Sequence, residues 1–486
     1  MSTEPDTSNK SSTPTSTTAP SAEIHNNHSA LPAVLDKIGF TRAQFWVLML
    51  IMAGMFFDTL EQNSTGAMGT NLKDALGIDN DQLALINTAT VIGGLIGRLV
   101  GGYLADKYGR RISLGFNLLL YTLGGLISAV AINYEMLLAS RLIVGIGLGG
   151  EFTVGIAMLS EMVATRYRGT LVSFLNIGSG GVGNFVSYGL FFLILGPFAG
   201  FFGGDETVWR WTYVLLALPA LLVVAFRRRL PESPRFLISN GKVDAANREL
   251  TRLASNTLRK QSADAPVTPY LTQADVPVKQ PSVNPIAVFQ GKALPRTLAL
   301  GAASWMAFGA QVTLNFLMPT LLVSKGYSVS DSLLFTMIMN VGSLLGACAA
   351  AFLASRAPRR TAVTVAAILG CITAVAFALF AETTPLILIL GATFQFFTML
   401  LNTTLAAWSP EVFPTSIRAQ GTSIVNGIGN IAGAIMPFVA LFLFDRFSLA
   451  GVFMMVAVMY ALLIVAARFS PETKGRSLEE VNEERL

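Results

Sequence analysis

Gly102-Tyr103-Leu104-Ala105-Asp106-Lys107-Tyr108-Gly109-Arg110-Arg111 joins the end of one membrane-length apolar run to the start of the next through an abrupt cationic turn. Charge is expelled from hydrocarbon, and backbone crosses it only as helix or closed barrel. The stretch therefore reads as two helices meeting at a water–lipid interface. The rest of the chain agrees: of its 486 residues 52% are hydrophobic and 13% charged, and the mean hydropathy is +0.56. These values exclude an ordinary soluble domain and predict a polytopic, all-α membrane protein.

Runs of about 20 apolar residues, enough to cross roughly 30 Å of hydrocarbon, recur near 43-65, 82-104, 111-131, 135-157, 169-196, 211-226, 296-322, 331-355, 361-381, 384-408, 421-444 and 449-468. That predicts twelve transmembrane helices. Lysine and arginine collect in the even-numbered connections, at Lys107, Arg110 and Arg111, at Arg166 and Arg168, at Arg227 to Arg229 with Arg235, at Arg356, Arg359 and Arg360, and at Arg418. Positive charge stays on the cytoplasmic side, so both termini are expected there, in the cell membrane. The same topology absorbs the net charge of +5 and leaves no case for a nucleic-acid partner. Cys348 and Cys371 fall inside spans and read as packing residues.

Residues 1-35, rich in Ser, Thr, Asn and Pro, read as a disordered cytoplasmic tail. A six-helix bundle is expected over 36-229, a polar, proline-bearing cytoplasmic linker over 230-295, a second six-helix bundle over 296-469 and a cytoplasmic tail over 470-486. Within the linker a helix is expected from Val243 to Leu258, with Arg248, Arg252 and Lys260 facing water or lipid head groups. The halves repeat. The arginine pair after the second span returns as Arg359-Arg360 after the eighth, and Glu161 with Arg168 after the fourth returns as Glu411 with Arg418. Two related six-span halves are the layout of an alternating-access carrier with its site at the midplane.

The motifs together resemble the major facilitator superfamily, and within it the sugar porters and their metabolite:proton symporter relatives. They are Gly102 to Arg111; Arg141 with Gly145, Gly147 and Gly149; Glu161 to Gly169; Pro231-Glu232-Ser233-Pro234-Arg235; Pro410 to Thr415 with Arg418; and Pro471 to Gly475. The resemblance implies two pseudo-symmetric bundles working as a monomer, with no cofactor or metal. Asp106, Gly109, Arg110, Arg111, Glu161, Arg168, Glu232, Arg235, Glu411 and Arg418 sit at helix ends. They are expected to form a cytoplasmic gate whose ion pairs hold the inner side shut, or else simply to anchor topology.

The charges inside spans are Asp58, Glu61, Arg98, Arg141 and Glu151, all in the first half. Asp58 lies about 21 Å from the inner end of its span and Arg141 about 9 Å from the outer end of its own, so their depths coincide. Phe57-Asp58-Thr59 with Arg141 is similar to the sugar-porter pattern in which a first-span aspartate carries the coupled proton. Asp58, Arg141 and Glu61 are thus the expected proton-coupling group, with an Asp58–Arg141 pair at its centre. Arg98 and Glu151 each lie about 24 Å from the outer surface. They are expected either as a second, inner pair or with Arg98 as the contact for an anionic substrate.

The sugar-binding pattern itself is missing. Aligned on Pro319, the seventh-span glutamines and asparagine of sugar porters correspond to Met306, Ala307 and Val312. Gln311, Asn315, Trp305, Phe308, Gln395 and Asn402 remain as candidate substrate contacts, a few amides in an aromatic wall. No nucleophile and base pair, metal cluster or phosphate loop appears, so no enzyme is expected. The expected function is proton-coupled import of a small organic acid or related metabolite. A sugar or polyol symporter and an efflux antiporter stand as the alternatives.

Overall fold

The computed structural model describes residues 30–227, 230–258, 265–276, 288–291, 293–354, 356–414 and 417–473. The expectations for residues 1–29, for Arg228, Arg229 and Lys260, and for the tail beyond 473 lie outside them. The described residues form helices and connections, with no β-strand among them. In chain order the helices are α1 (Leu31–Ile38), α2 (Arg42–Ala67), α3 (Gly69–Leu76), α4 (Asn80–Tyr108), α5 (Arg110–Ala129), α6 (Tyr134–Met162), α7 (Thr165–Asn176), a π-helical segment (Ile177–Gly183), α8 (Asn184–Leu195), α9 (Val208–Arg227), α10 (Pro234–Ser239), α11 (Val243–Ala254), α12 (Ala293–Ser324), α13 (Val329–Leu353), α14 (Arg359–Phe380), α15 (Thr384–Val412) and α16 (Arg418–Arg468).

Ten stretches are long and apolar enough to cross a membrane. The last, within α16, counts twice, because Ser448 at φ +55° and ψ −158° breaks the helix and turns the chain back. Helix α9, with 20 residues, supplies the twelfth crossing. The fifth crossing is composite, running α7, the π-helical segment and α8 in succession. Capping boxes fix two starts, Thr41 with Gln44 before α2 and Asp79 with Gln82 before α4, satisfying backbone N–H groups that have no partner within the helix.

The two sets of six crossings are built to one plan. Gly93 and Gly97 on α4 let the backbone meet the Leu142 and Ile146 carbonyls of α6, and Gly342 and Gly346 on α13 meet the Ala392 and Phe396 carbonyls of α15 in the same way. A side chain at any of the four would overlap a carbonyl oxygen, the close approach that small residues permit between membrane helices. The Gln44 amide donates to the Met162 carbonyl at the end of α6 at 2.8 Å, and Arg296 Nη1 donates to the Val412 carbonyl at the end of α15 at 3.2 Å. In each half the first helix thus ties down the C-terminus of the fourth.

The halves meet where α13 packs on the π-helical segment and α8, α2 on α12, and α4 on α16. The Tyr188 hydroxyl donates to the Asn315 carbonyl and Thr88 Oγ1 to the Ala434 carbonyl at 2.8 Å. These bonds lie toward the end of the bundle opposite the arginine-rich turns, so the seam is joined on that far side.

Three expectations change in the connecting segments. Helix α1 occupies Leu31–Ile38 and so begins within the last residues of the stretch read as a disordered tail. Its Leu31 and Leu35 pack with Phe236, Ile238, Leu250 and Leu271 into a small apolar core shared with the linker. Arg252 is buried rather than facing water; it pairs with Glu249 at 2.6 Å and donates to the Leu258 carbonyl at 2.5 Å, whereas Arg248 is exposed. The helix there ends at Ala254, and the chain turns at Asn256, whose φ is +59°. Residues 470–473 are also no free tail, since Ser470 is buried and Trp408 Nε1 donates to the Pro471 carbonyl at 3.1 Å.

The glycine packing gives a matched test. Gly97→Ala drives a methyl into the Ile146 carbonyl and is expected to destabilise by about 1–3 kcal/mol, outweighing a helix-propensity gain of up to about 1 kcal/mol. Gly102→Ala, which would meet nothing within 4 Å, is expected to match or exceed the wild type. Melting temperatures of the two variants in detergent check this.

Candidate functional site

The buried charges gather around α2. Asp58, Glu61, Arg141, Glu151 and Arg227 are each at most 4% exposed. Arg141 does not pair with Asp58 as expected. Its Nη1 donates to Glu61 Oε1 at 2.5 Å and its Nη2 to the Glu61 carbonyl at 3.3 Å, and its guanidinium lies 5.2 Å from the centre of the Tyr213 ring. Residues 58 and 61 share a helix face. Matching depth therefore cannot separate them, and the longer glutamate arm takes the arginine.

Glu151 does not pair with Arg98 either. Its Oε1 accepts from Arg227 Nη2, and Arg227 also donates to the Leu114 carbonyl at 3.2 Å. This pair presses on the α2 backbone at Gly54, where any side chain would overlap both partners. Sequence reasoning assigned Arg227 to the cationic loop with Arg228 and Arg229. The signal that singles it out is Gly54, one turn before Asp58 on the same face.

Asp58 thus sits between two buried ion pairs along α2, Glu151–Arg227 about one turn toward the arginine-rich end and Glu61–Arg141 about one turn away from it. Neither of its carboxyl oxygens has a hydrogen-bond partner. The charged groups acting on it are Glu151, Arg227 and Glu61. The Tyr121 hydroxyl, also buried without a bond, faces the same cluster. Arg98 enters none of the ion pairs described. It lies half-buried on α4 with its guanidinium 5.5 Å from the Phe152 ring centre and its Nε without a hydrogen bond.

Of the second-half candidates, Gln311, Asn315, Gln395 and Asn402 lie where α12 meets α15. Gln395 Nε2 donates to Asn315 Oδ1 at 2.9 Å, Gln311 Nε2 approaches Met399 Sδ at 3.6 Å, and Asn402 Nδ2 donates to the Thr398 and Ala307 carbonyls at 3.0 and 3.3 Å. Gln311 and Asn315 share one face, as their spacing predicts. The aromatic wall is thinner than expected: Phe308 packs on Gly429 and Gly433 of α16, and Trp305 lies against the main apolar core.

At the arginine-rich end each half carries the same clasp. Arg110 contacts Asp106 and Glu161, both at 2.9 Å, and the Ala105 carbonyl at 3.0 Å; Arg359 contacts Glu411 at 3.0 Å and the Ala354 carbonyl at 2.7 Å. Glu232 Oε1 accepts from the Arg110 and Arg111 amides at 2.9 and 3.3 Å, and Glu472 accepts from the Arg359 and Arg360 amides at 2.7 and 3.0 Å. Ser233 and Thr473 donate to Glu161 and Glu411, each at 2.6 Å. Gly109, at φ +104°, leaves room for Glu232, whose oxygen would stand 2.5 Å from a Cβ there.

The ion pairs of Arg110 and Arg359 each join helices within one half. Arg235 is exposed and joins none of the ion pairs described. Arg168 is half-buried on α7, within electrostatic reach of Arg235, Asp36 and Glu161. Arg418 Nε donates to the Phe413 carbonyl at 3.5 Å. Burial raises the Glu232 carboxyl, and the amides of Ser233, Arg111 and Arg110 pull it back down.

Against known proteins, the family described as sugar (and other) transporter matches residues 36–484. The chain belongs to this family. It is a major facilitator carrier and not an enzyme. The niacin transporter NiaP of Acinetobacter baylyi is 27% identical over 452 residues, covering 92% of this chain and 98% of that protein. A probable 4-methylmuconolactone transporter of Cupriavidus pinatubonensis is 25% identical, covering 90% and 92%. The fold matches the partially occluded, inward-open xylose transporter XylE of Escherichia coli with a TM-score of 0.71 at 20% identity, covering 89% of this chain and 99% of that one.

Breaking a buried pair strands a charge, at a cost of about 3–5 kcal/mol. Arg141→Ala is therefore expected to lower the melting temperature in detergent sharply. Adding Glu61→Gln, which removes the stranded carboxylate, is expected to recover a large part of the loss.

Proposed function

We infer that this carrier imports a small organic acid together with a proton, the arginine-rich end facing the cytoplasm. The observation that carries the reading is the allocation of buried charge. Among the described residues inside the first bundle's spans, two carboxylates are matched by two guanidiniums, in Glu61–Arg141 and Glu151–Arg227, which leaves one carboxyl, Asp58, and one guanidinium, Arg98. An ionised carboxylate buried without hydrogen bonds is costly. With a proton on Asp58, the remaining uncompensated charge is that of Arg98, and a substrate carboxylate balances it through the planar fork suited to that group. Proton and anion then cross together, and the loaded carrier moves no net charge into the hydrocarbon.

Niacin, named for one relative, is a pyridine carboxylate, which fits this scheme. The lost sugar-porter amides support the acid over a sugar, since each hydroxyl desolvated without a partner costs about 1–3 kcal/mol. The amides that remain, Asn315, Gln395 and Asn402, already bond within the protein. The clasps around Arg110 and Arg359 then keep each half rigid, so that the halves rock as units when the seam opens.

Uptake of nicotinate, benzoate, quinate and D-xylose into proteoliposomes under an inward proton gradient tests the reading. Wild type is expected to concentrate a carboxylate, and Asp58→Asn to lose that accumulation while still exchanging substrate across the membrane. Arg98→Gln is expected to raise KM for the acid roughly ten- to hundredfold, the worth of a charge-assisted hydrogen bond of about 1.5–3 kcal/mol. Concentration of D-xylose with carboxylates ignored would refute it.

A further inference from the structure

We propose that Glu151 is a second proton station, which receives the proton from Asp58 and passes it to the arginine-rich side, with Arg227 as the counter-ion it exchanges. The proposal rests on the proton-coupled reading above and names the route by which that proton leaves.

Three observations carry it. The Glu151–Arg227 pair lies against Gly54, one helical turn from Asp58 toward the arginine-rich end, so it stands on the way out. One carboxylate oxygen of Glu151, Oε1, is held by Arg227, while the other, Oε2, is buried with no hydrogen-bond partner. Asp58 likewise has two buried oxygens with no bond, so donor and acceptor, within electrostatic reach of each other, have no competing partner on the oxygens concerned. The groups facing Glu151 are Asp58 from α2, the Tyr121 hydroxyl from α5 and Arg227 from α9. On its own helix Arg141 is committed to Glu61.

The step balances. The O–H bond of Asp58 breaks and one forms on Glu151 Oε2, leaving Asp58 anionic and Glu151 neutral. The Arg227 charge, released from Glu151, then answers the new carboxylate on Asp58, and this transfer leaves the cluster's net charge unchanged. Water entering from the arginine-rich side takes the proton from Glu151 and restores the Glu151–Arg227 pair. Glu61–Arg141, on the far side of Asp58, keeps its partners and blocks return in that direction.

The test uses the full-length protein in proteoliposomes, with whichever of nicotinate, benzoate and D-xylose the wild type concentrates as the probe. A gradient of one pH unit supports about tenfold accumulation for a one-proton symporter. Glu151→Gln is expected to abolish that accumulation and yet keep counterflow of the probe within about twofold of wild type. Glu151→Asp, which keeps a titratable group, is expected to restore accumulation with a displaced pH profile. Should Glu151→Gln fail to fold, Glu151→Gln with Arg227→Gln removes both charges, and loss of accumulation with counterflow kept supports the proposal. Accumulation retained in either variant overturns it, as does joint loss of accumulation and counterflow in a folded variant, because Glu151 would then be a counter-ion or a structural group. Accumulation surviving in Asp58→Asn would instead overturn the proton-coupled reading beneath it.

Discussion

The Glu61–Arg141 and Glu151–Arg227 pairs set the terms for the rest of the first bundle. An unpaired charge in hydrocarbon is costly enough that membrane helices rarely carry one, and here α2, α6 and α9 are held in register by salt links that have no water to replace them. Gly54 has no side chain because a guanidinium and a carboxylate occupy its place. The Tyr213 ring covers the Arg141 guanidinium, and the Leu114 carbonyl takes a second Arg227 donor. Each pair is thus bonded beyond its own contact, the condition under which a buried ion pair repays its desolvation.

The two clasps show how a duplicated device survives partial loss of its sequence. In each, a remote glutamate caps the first two amides of a helix, Glu232 on α5 and Glu472 on α14, which places negative charge where the helix dipole favours it. The first copy enters its helix through Gly109 in a left-handed conformation, and the second through Pro358 at φ −60° and ψ 138°. The turn is made by opposite backbone means, yet the hydrogen bonds it serves are the same.

Much of this was legible in the chain. The spans follow from hydropathy, and the turn at Ser448 falls between the last two of them. Depth along a helix can be counted from residue number, which correctly grouped Asp58, Glu61 and Arg141. Azimuth and tilt cannot, so Arg141 was matched to the wrong neighbour on one helix face and Arg98 to a glutamate that Arg227 holds. Arg227 was hidden in an arginine run whose other members have an ordinary topological reading. Phe308 shows the same limit: its depth is central, but it points at the glycines of α16. Helix α1 escaped notice because its apolar residues, Leu31 and Leu35, find their partners in a linker more than two hundred residues away.

The register set by Glu161 and Glu411 carries Arg141 onto Gly391 and Glu151 onto Leu401, and that set by Gln44 and Arg296 carries Asp58 onto Ala310. These three membrane-embedded charges of the first bundle therefore have neutral counterparts in the second. The first bundle holds the buried Glu61–Arg141 and Glu151–Arg227 pairs, whereas amides meet where α12 packs on α15. On the reading proposed above, mutations that reshape α12 and α15 alter the fit around the substrate, while Arg98 on α4 keeps its hold on the carboxylate and the buried ion pairs stay untouched. A lineage built on this plan can diversify its cargo while its engine stays fixed.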